Sequence, residues 1–389
     1  MNPEDYIGRE QTFIKHTLLR AYLERLFMII GRYEEKISYV DCFAGPWQEG
    51  RNDLQDTSIA ISLNIMKKCQ EGLSQLGKNV QFRALYIEKD KESFERLKSF
   101  LADRKENEVD AKPLHGEFHE LRDDILKWCG AKDFTFFFVD PTGWREAVEI
   151  PTLRPLLQRH NSEFLITFML DFLRRFHCQS ELEEQMKEIF GEILDTSEMT
   201  PEQRETHFLR KYREHLKSAQ LKTGESLLSA YSKILHPLKK RTMYDMVYLT
   251  RKPLGIVVFM EVLGKLEYVQ KDSRAQAQQT QRVERTGQRE FSLKSTNIEY
   301  DEENFKLSEV KDYWLSKLSC EPKQFGVKEF ADMIEETDWF ISDFQIAFKK
   351  LHDEGKVENI DAKNIERRKT LFVNYKANYN QGESLKKMK

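Results

Sequence analysis

KISYVDCFAG, residues 36–45, reads as a strand that ends on an acid and breaks into a loop of small residues. Ile37, Tyr39 and Val40 carry the apolar run, Asp41 closes it, and Ala44 and Gly45 follow. That order fits the opening βα turn of a doubly wound α/β domain, whose ligands bind beyond the carboxyl ends of the strands. Gly45, having no Cβ, lets the backbone come close to such a ligand. A dinucleotide site would need G-x-G-x-x-G here to set a helix N-terminus against a pyrophosphate, and the chain continues instead with Pro46 and Trp47. An acid leading into Phe43, Ala44 and Gly45 suits a cationic ligand without phosphate. S-adenosylmethionine, with its ammonium and sulfonium, is the expected one.

Upstream, Phe13, Ile14, Leu18, Leu19, Tyr22, Leu23, Leu26 and Phe27 recur at helical spacing. They predict a helix over 13–30 that covers a sheet edge, with Lys15 and His16 on its solvated face. Downstream, a helix is expected over 58–68, capped by Thr57 or Ser58, then a second strand over 82–87 ending at Glu88. An acid after strand two commonly takes the ribose hydroxyls of an adenosyl cofactor; alone it reads equally as a solvent-facing acid at a strand-helix junction. A helix over 91–101 and a short strand over 109–114 lead to His115-Gly116-Glu117-Phe118-His119, where Glu117 would be a third acid on the same rim, suited to an adenine amino group.

FTFFFV, 134–139, is a continuous apolar run of the kind that forms a central parallel strand covered on both faces. It delivers Asp140-Pro141-Thr142-Gly143-Trp144. An acid at this point can accept a hydrogen bond from an acceptor amine and so aim the nitrogen lone pair, and orientation supplies much of the rate of a displacement. Trp144 suits stacking on a planar acceptor such as a base; a plain turn with a surface tryptophan is the alternative.

A helix over 151–159 and a fifth strand over 164–170 follow, then Arg174-Arg175 and a charged helical insertion at 180–230. A late strand over 243–249 and a helix over 256–266 close the sheet. Residues 268–303 are Gln-rich, charged and poor in apolar groups, as in a linker or extension. Beyond them, helices marked by Leu307 to Leu318, over 327–334 and over 342–351, with Ser342 as N-cap, precede strands over 356–360 and 370–375. Three helices and a two-stranded wing predict a winged helix-turn-helix. Its nucleic-acid contacts would be Lys349, Lys350, Lys356, Lys363, Arg367, Arg368 and Lys369; the alternative is a protein-binding module.

The chain has 389 residues and a formal charge of -3, enough for two domains and against a protein that coats nucleic acid over its whole surface. Five scattered cysteines without a C-x-x-C pair predict reduced thiols and no metal site. With no apolar run of membrane length, a soluble, cytoplasmic protein is expected.

The motifs D-C-F-A-G-P-W, IEKD, GEFHE and DPTGW, with KHTLLRAYL and MYDMVYLTRKPLGIVVF, resemble the three-Cys-motif partner (TcmP) family of bacterial class I methyltransferase-like proteins over residues 7–270. The resemblance implies a three-Cys-motif, radical-SAM-like partner protein, and the C-terminal part looks like the winged helix appended to some members. It implies Asp41, Gly45, Glu88 and Glu117 on the cofactor rim and Asp140, Pro141 and Gly143 in the catalytic loop. Trp47 departs from an expected second glycine and His119 from a usual Asn. The sequence therefore predicts a Rossmann-like methyltransferase domain over 1–267 and a winged helix with a basic tail over 304–389. The cofactor would be held by Asp41, Phe43, Ala44, Gly45, Glu88, Glu117 and Phe118, and the catalytic loop would be Asp140, Pro141, Gly143 and Trp144. The expected activity is methyl transfer to an amino group of a nucleic acid base; a non-catalytic scaffold and a protein amine methyltransferase are the alternatives.

Overall fold

The computed structural model describes residues 3–45, 57–103, 109–141, 148–169, 183–219, 226–286, 300–362 and 371–388. Two compact units result, Met1–Arg251 and Lys252–Lys389.

Strands β1 (Lys36–Asp41), β2 (Gln81–Glu88), β3 (Asp110–His115), β4 (Phe134–Val139), β5 (Ser162–Met169), β6 (Leu228–Leu235) and β7 (Thr242–Thr250) form one sheet of the first unit. Their order is β3-β2-β1-β4-β5-β7-β6. The pairs from β3 through β5 are parallel, β7 is antiparallel to β5, and β6 is antiparallel to β7. This is the doubly wound, Rossmann-like methyltransferase sheet, with its switch point between β1 and β4.

Period-two alternation sends neighbouring side chains of each strand to opposite faces. Phe82 and Phe136 meet α1 (Glu10–Ile30), where Phe27 lies 5.3 Å from Phe82 and Tyr22 6.0 Å from Phe136 between ring centroids, and Tyr39 stacks on Phe136. Ser62 of α2 (Ser58–Gln75) bonds the Tyr86 hydroxyl at 2.8 Å on the same side. Val40, Phe137, Phe164 and Val247 lie in the other core. There they join residues of α4 (Arg122–Cys129), α5 (Ile150–Leu157), α6 (Glu183–Phe190) and α7 (Pro201–Ser218). Phe136, Phe137 and Phe138 are all fully buried, each stabilising the sheet by roughly 1.5–3 kcal/mol through loss of apolar surface to water. Helix α3 (Lys91–Asp103) packs on β2 and β3.

A buried polar node pins α1 to β5 and β7. Glu163 accepts from Tyr22 at 2.7 Å and from Thr250 at 2.9 Å, and the Tyr22 and Tyr248 hydroxyls are 2.5 Å apart. Cys42, Cys69 and Cys129 are buried free thiols and Cys320 is exposed; Cys178 and the Arg174-Arg175 pair lie outside the described residues. No helix among the described residues is long and apolar enough to cross a membrane.

The second unit opens with α8 (Pro253–Thr286), which continues as helix well into the polar stretch that begins at residue 268. It packs against α10 (Val327–Thr337) and α11 (Ile341–Asp353), which with α9 (Tyr300–Lys317) form a three-helix core around Trp314. The Trp314 indole N–H donates to the Phe344 carbonyl at 2.9 Å. Strands β8 (Lys323–Phe325), β9 (Val357–Asn359) and β10 (Glu383–Lys387) pair in the order β8-β10-β9, completing a winged helix-turn-helix.

The second wing strand is β10, not 370–375. Around Phe372 and Val373 the buried Gln345 side chain does the work of a strand partner: its Oε1 accepts from both backbone N–H groups and its amide donates to the Val373 carbonyl. The cap of α11 is made by Asp343, which accepts from the Phe340 N–H at 3.0 Å, and not by Ser342.

Candidate functional site

The carboxyl ends of β1, β2, β4 and β5 meet at one edge of the sheet. Backbone pairing continues past the end of β1, with Cys42 N–H donating to the Phe138 carbonyl at 2.9 Å and Ala44 N–H to that of Ile87 at 2.8 Å. The small-residue loop is thereby stitched between β4 and β2. Gly45 lies against Glu88: a Cβ there would come 1.8 Å from Glu88 Oε2, so any side chain at this position would push the Glu88 carboxylate aside. Ala44 is buried and Phe43 half-buried, its ring 5.3 Å from that of the buried Phe118.

Asp41 has no exposed surface. Its Oδ1 accepts from the Phe43 N–H at 3.1 Å and its Oδ2 from the Ser58 hydroxyl at 2.7 Å, so it ties the loop to the first turn of α2. Thr57 caps that helix through the Ala60 N–H. Burial pushes the Asp41 carboxyl up to about 7; the Ser58 and Phe43 bonds oppose the shift, Asp140 adds to it and Lys15 opposes it. Glu88 is also buried, with Oε1 accepting from the Asp90 N–H at 2.7 Å. Burial raises its carboxyl, and the bond to Asp90 pulls the other way. Glu117, on the turn after β3, is half-buried and 3.4 Å from Lys89. His119 is half-buried on the same turn.

Asp140 follows β4 directly, and two elements fix its carboxylate. Lys15 of α1 reaches Oδ2 at 2.5 Å, and Thr167 of β5 donates to Oδ1 at 2.7 Å. Lys15 is thus not on a solvated face, and neither is His16, which is buried with Nδ1 3.2 Å from the Tyr6 hydroxyl. The Lys15 ammonium lies 5.9 Å from the Tyr244 ring centroid, and the Tyr244 hydroxyl donates to the Gln11 carbonyl at 3.1 Å, anchoring the start of α1. Burial disfavours the Lys15 charge, but Asp140 and Tyr244 beside it win, leaving its pKa above the ordinary lysine value.

The sequence offered a signal for Lys15. It stands three, four and seven residues before Leu18, Leu19 and Tyr22, in line with the buried stripe of α1. Pro141 is buried next to Asp140, while Gly143, Trp144 and Trp47 lie outside the described residues.

On the winged helix, Lys349 is paired with Asp353 at 2.7 Å and Lys356 with Glu354 at 2.9 Å; Lys350 is exposed. Lys363, Arg367, Arg368 and Lys369 lie outside the described residues.

Residues 276–364 match the family model of the GMT-like wHTH domain. No curated protein matches the chain. Among solved structures the chain is similar to yhhF of Escherichia coli, named as a methyltransferase, at 13% identity over 59% of this chain and 84% of that one, TM-score 0.27. It is similar to the precorrin-6y C5,15-methyltransferase of Geobacter metallireducens at 11% identity over 58% and 84%, TM-score 0.26. A third is PKMT2 of Rickettsia typhi in complex with AdoHcy, at 11% identity over 62% and 55%, TM-score 0.27. At these scores the likenesses carry no argument about the site. The strand order carries the fold, a methyltransferase-type sheet joined to a winged helix.

Proposed function

We propose that the protein is an S-adenosylmethionine-dependent methyltransferase acting on an amino group of a nucleic acid base, with the winged helix contributing affinity for the nucleic acid. The observation that carries the reading is Asp140, an acid at the carboxyl end of a central strand, fixed at both oxygens and next to the acid-bearing rim of β1 and β2.

The rim suits the cofactor. Acids stand at the ends of β1 and β2 and after β3, matching an ammonium, ribose hydroxyls and an adenine amine, and a side chain at Gly45 would displace the Glu88 carboxylate from its place on this rim. When bound, S-adenosylmethionine supplies a methyl group on a positively charged sulfur. Glu88 would take the ribose hydroxyls, and Asp41 would balance the cation while holding the loop. Asp140 would accept an N–H from the acceptor, aim the nitrogen lone pair, and pass the proton released on N–C bond formation to water. The motifs running from D-C-F-A-G-P-W to DPTGW support a three-Cys-motif, radical-SAM-like partner protein as part of the same reading.

Titration calorimetry with S-adenosylmethionine and S-adenosylhomocysteine tests the cofactor half. Binding is expected, weakened about tenfold or more in Glu88→Ala, as loss of hydrogen bonds to a charged group implies. Mass spectrometry of a labelled methyl group tests the reaction. Asp140→Ala should keep cofactor affinity within a few fold and lose nearly all transfer; absence of heat with either ligand, or transfer at the wild-type rate, would sink the respective half.

A further inference from the structure

Lys15 and Asp140 leave more hydrogen-bonding capacity than they use on each other. A carboxylate has about four lone-pair sites and an ammonium three donor hydrogens. Among the described residues, Thr167 and Lys15 take one site on each Asp140 oxygen, and Asp140 takes one Lys15 hydrogen. Both side chains retain solvent contact, 16% and 17% exposed, so a ligand can reach them. The pair therefore presents an acceptor and a charged donor side by side. Tyr244 holds this arrangement, its ring beside the ammonium and its hydroxyl tied to the start of α1.

We infer that the acceptor presents an amino group beside a ring nitrogen with a free lone pair, as adenine does with N6 and N1 and cytosine with N4 and N3, and that Lys15 is the specificity-determining residue that reads the ring nitrogen. This rests on the methyl-transfer reading of the same site. Asp140 takes the amine hydrogen, and Lys15 donates to the neighbouring nitrogen. An aliphatic amine fits poorly. It offers donors only, arrives as a cation, and meets the like charge of Lys15 within a few ångströms. A base must be unpaired or flipped out to show this edge.

The test uses the full chain with S-adenosylhomocysteine present and single-stranded oligonucleotides that carry one adenine or one 1-deazaadenine among thymines, with cytosine and 3-deazacytosine as a second pair. Fluorescence anisotropy should show about tenfold or greater preference for the base that keeps its ring nitrogen, in at least one pair, as a charge-assisted hydrogen bond implies. Lys15→Met should abolish the preference and Lys15→Arg should retain part of it. An equal loss on normal and deaza strands in Lys15→Met would mean a merely structural role and overturn the inference, as would a preference that survives the substitution, or none in the wild type. Labelled methyl transfer separates the two levels. Label on a base amine at a rate independent of Lys15 overturns only the inference; label on an aliphatic amine, or no label at all, overturns the function beneath it as well.

Discussion

At Asp41 the fold places a carboxyl where water cannot reach it and raises it to about 7, above its ordinary unfolded value of about 3.9. A raised acid contributes stability that is complete below the unfolded pKa and is lost as pH rises through the folded one. Wild-type stability should therefore fall between about pH 4 and pH 7 by an amount on the order of a few kcal/mol from this group. Asn can still accept from the Phe43 N–H without ionising, so Asp41→Asn should become more stable relative to wild type as pH rises. Melting temperatures of the two proteins at pH 5 and pH 8 measure this; a difference that does not move with pH would contradict it. The same burial has a use in binding. A cation placed beside Asp41 favours its ionised form, so affinity for S-adenosylmethionine should climb as pH rises toward about 7, with proton release on binding, and Asp41→Asn should lose that climb.

At the scale of elements, a single side chain of α11 stands in for a missing strand. Gln345 satisfies two N–H groups and one carbonyl of the segment leading back to β10, and all three partners are buried. Gln345→Ala should cost the winged unit about 2–4 kcal/mol, since each unsatisfied buried group costs roughly 1–3 kcal/mol. Hydrogen exchange on the full chain checks it locally: the Phe372 and Val373 amides should lose protection well before those of β4. This bond set also explains why part of the fold was illegible in the sequence. Phe372 and Val373 have strand-like character, but their backbone partner is a side chain 27 residues away for Phe372, and pattern alone cannot see it. Strand β6 is hard to see in the sequence for a different reason. Among the described residues it is an edge strand paired with β7, and LSAYSKIL mixes Ser and Lys into its alternation, as edges commonly do. FTFFFV needed no partner to be read, because burial on both faces leaves no room for polar residues. Asp41, Glu88 and Asp140 were legible as acids closing strands. For Lys15 the sequence carries only its place on the apolar stripe of α1; the acid that explains it is 125 residues away, beyond what spacing shows.

Across the whole molecule, charge is nearly balanced, at -3, and the winged unit repeats that balance locally. Lys306 pairs with Asp343, Lys311 and Lys356 with Glu354, Lys349 with Asp353, and Lys386 with Glu358. Exposed pairs of this kind contribute only about 0–1 kcal/mol, so a phosphate can replace a carboxylate partner at small cost. Each such replacement neutralises at most one phosphate, and the carboxylate left behind repels the backbone. Net attraction must then come from cations in excess over acids, and the sequence concentrates these in Arg367, Arg368 and Lys369. If the winged helix holds nucleic acid, binding should weaken with salt at a log-log slope of roughly -0.9 per phosphate neutralised on duplex DNA. Replacing Arg367, Arg368 and Lys369 together with Ala in the full chain should lower affinity across all sequences and flatten that slope by up to about 3 units. Lys349→Ala should change it less, because that ammonium already has Asp353. Anisotropy of a labelled duplex over a salt series reads both. Salt-insensitive binding, or none, would assign the winged helix to a protein partner, and the acceptor of the methyl group would then have to reach Asp140 without its help.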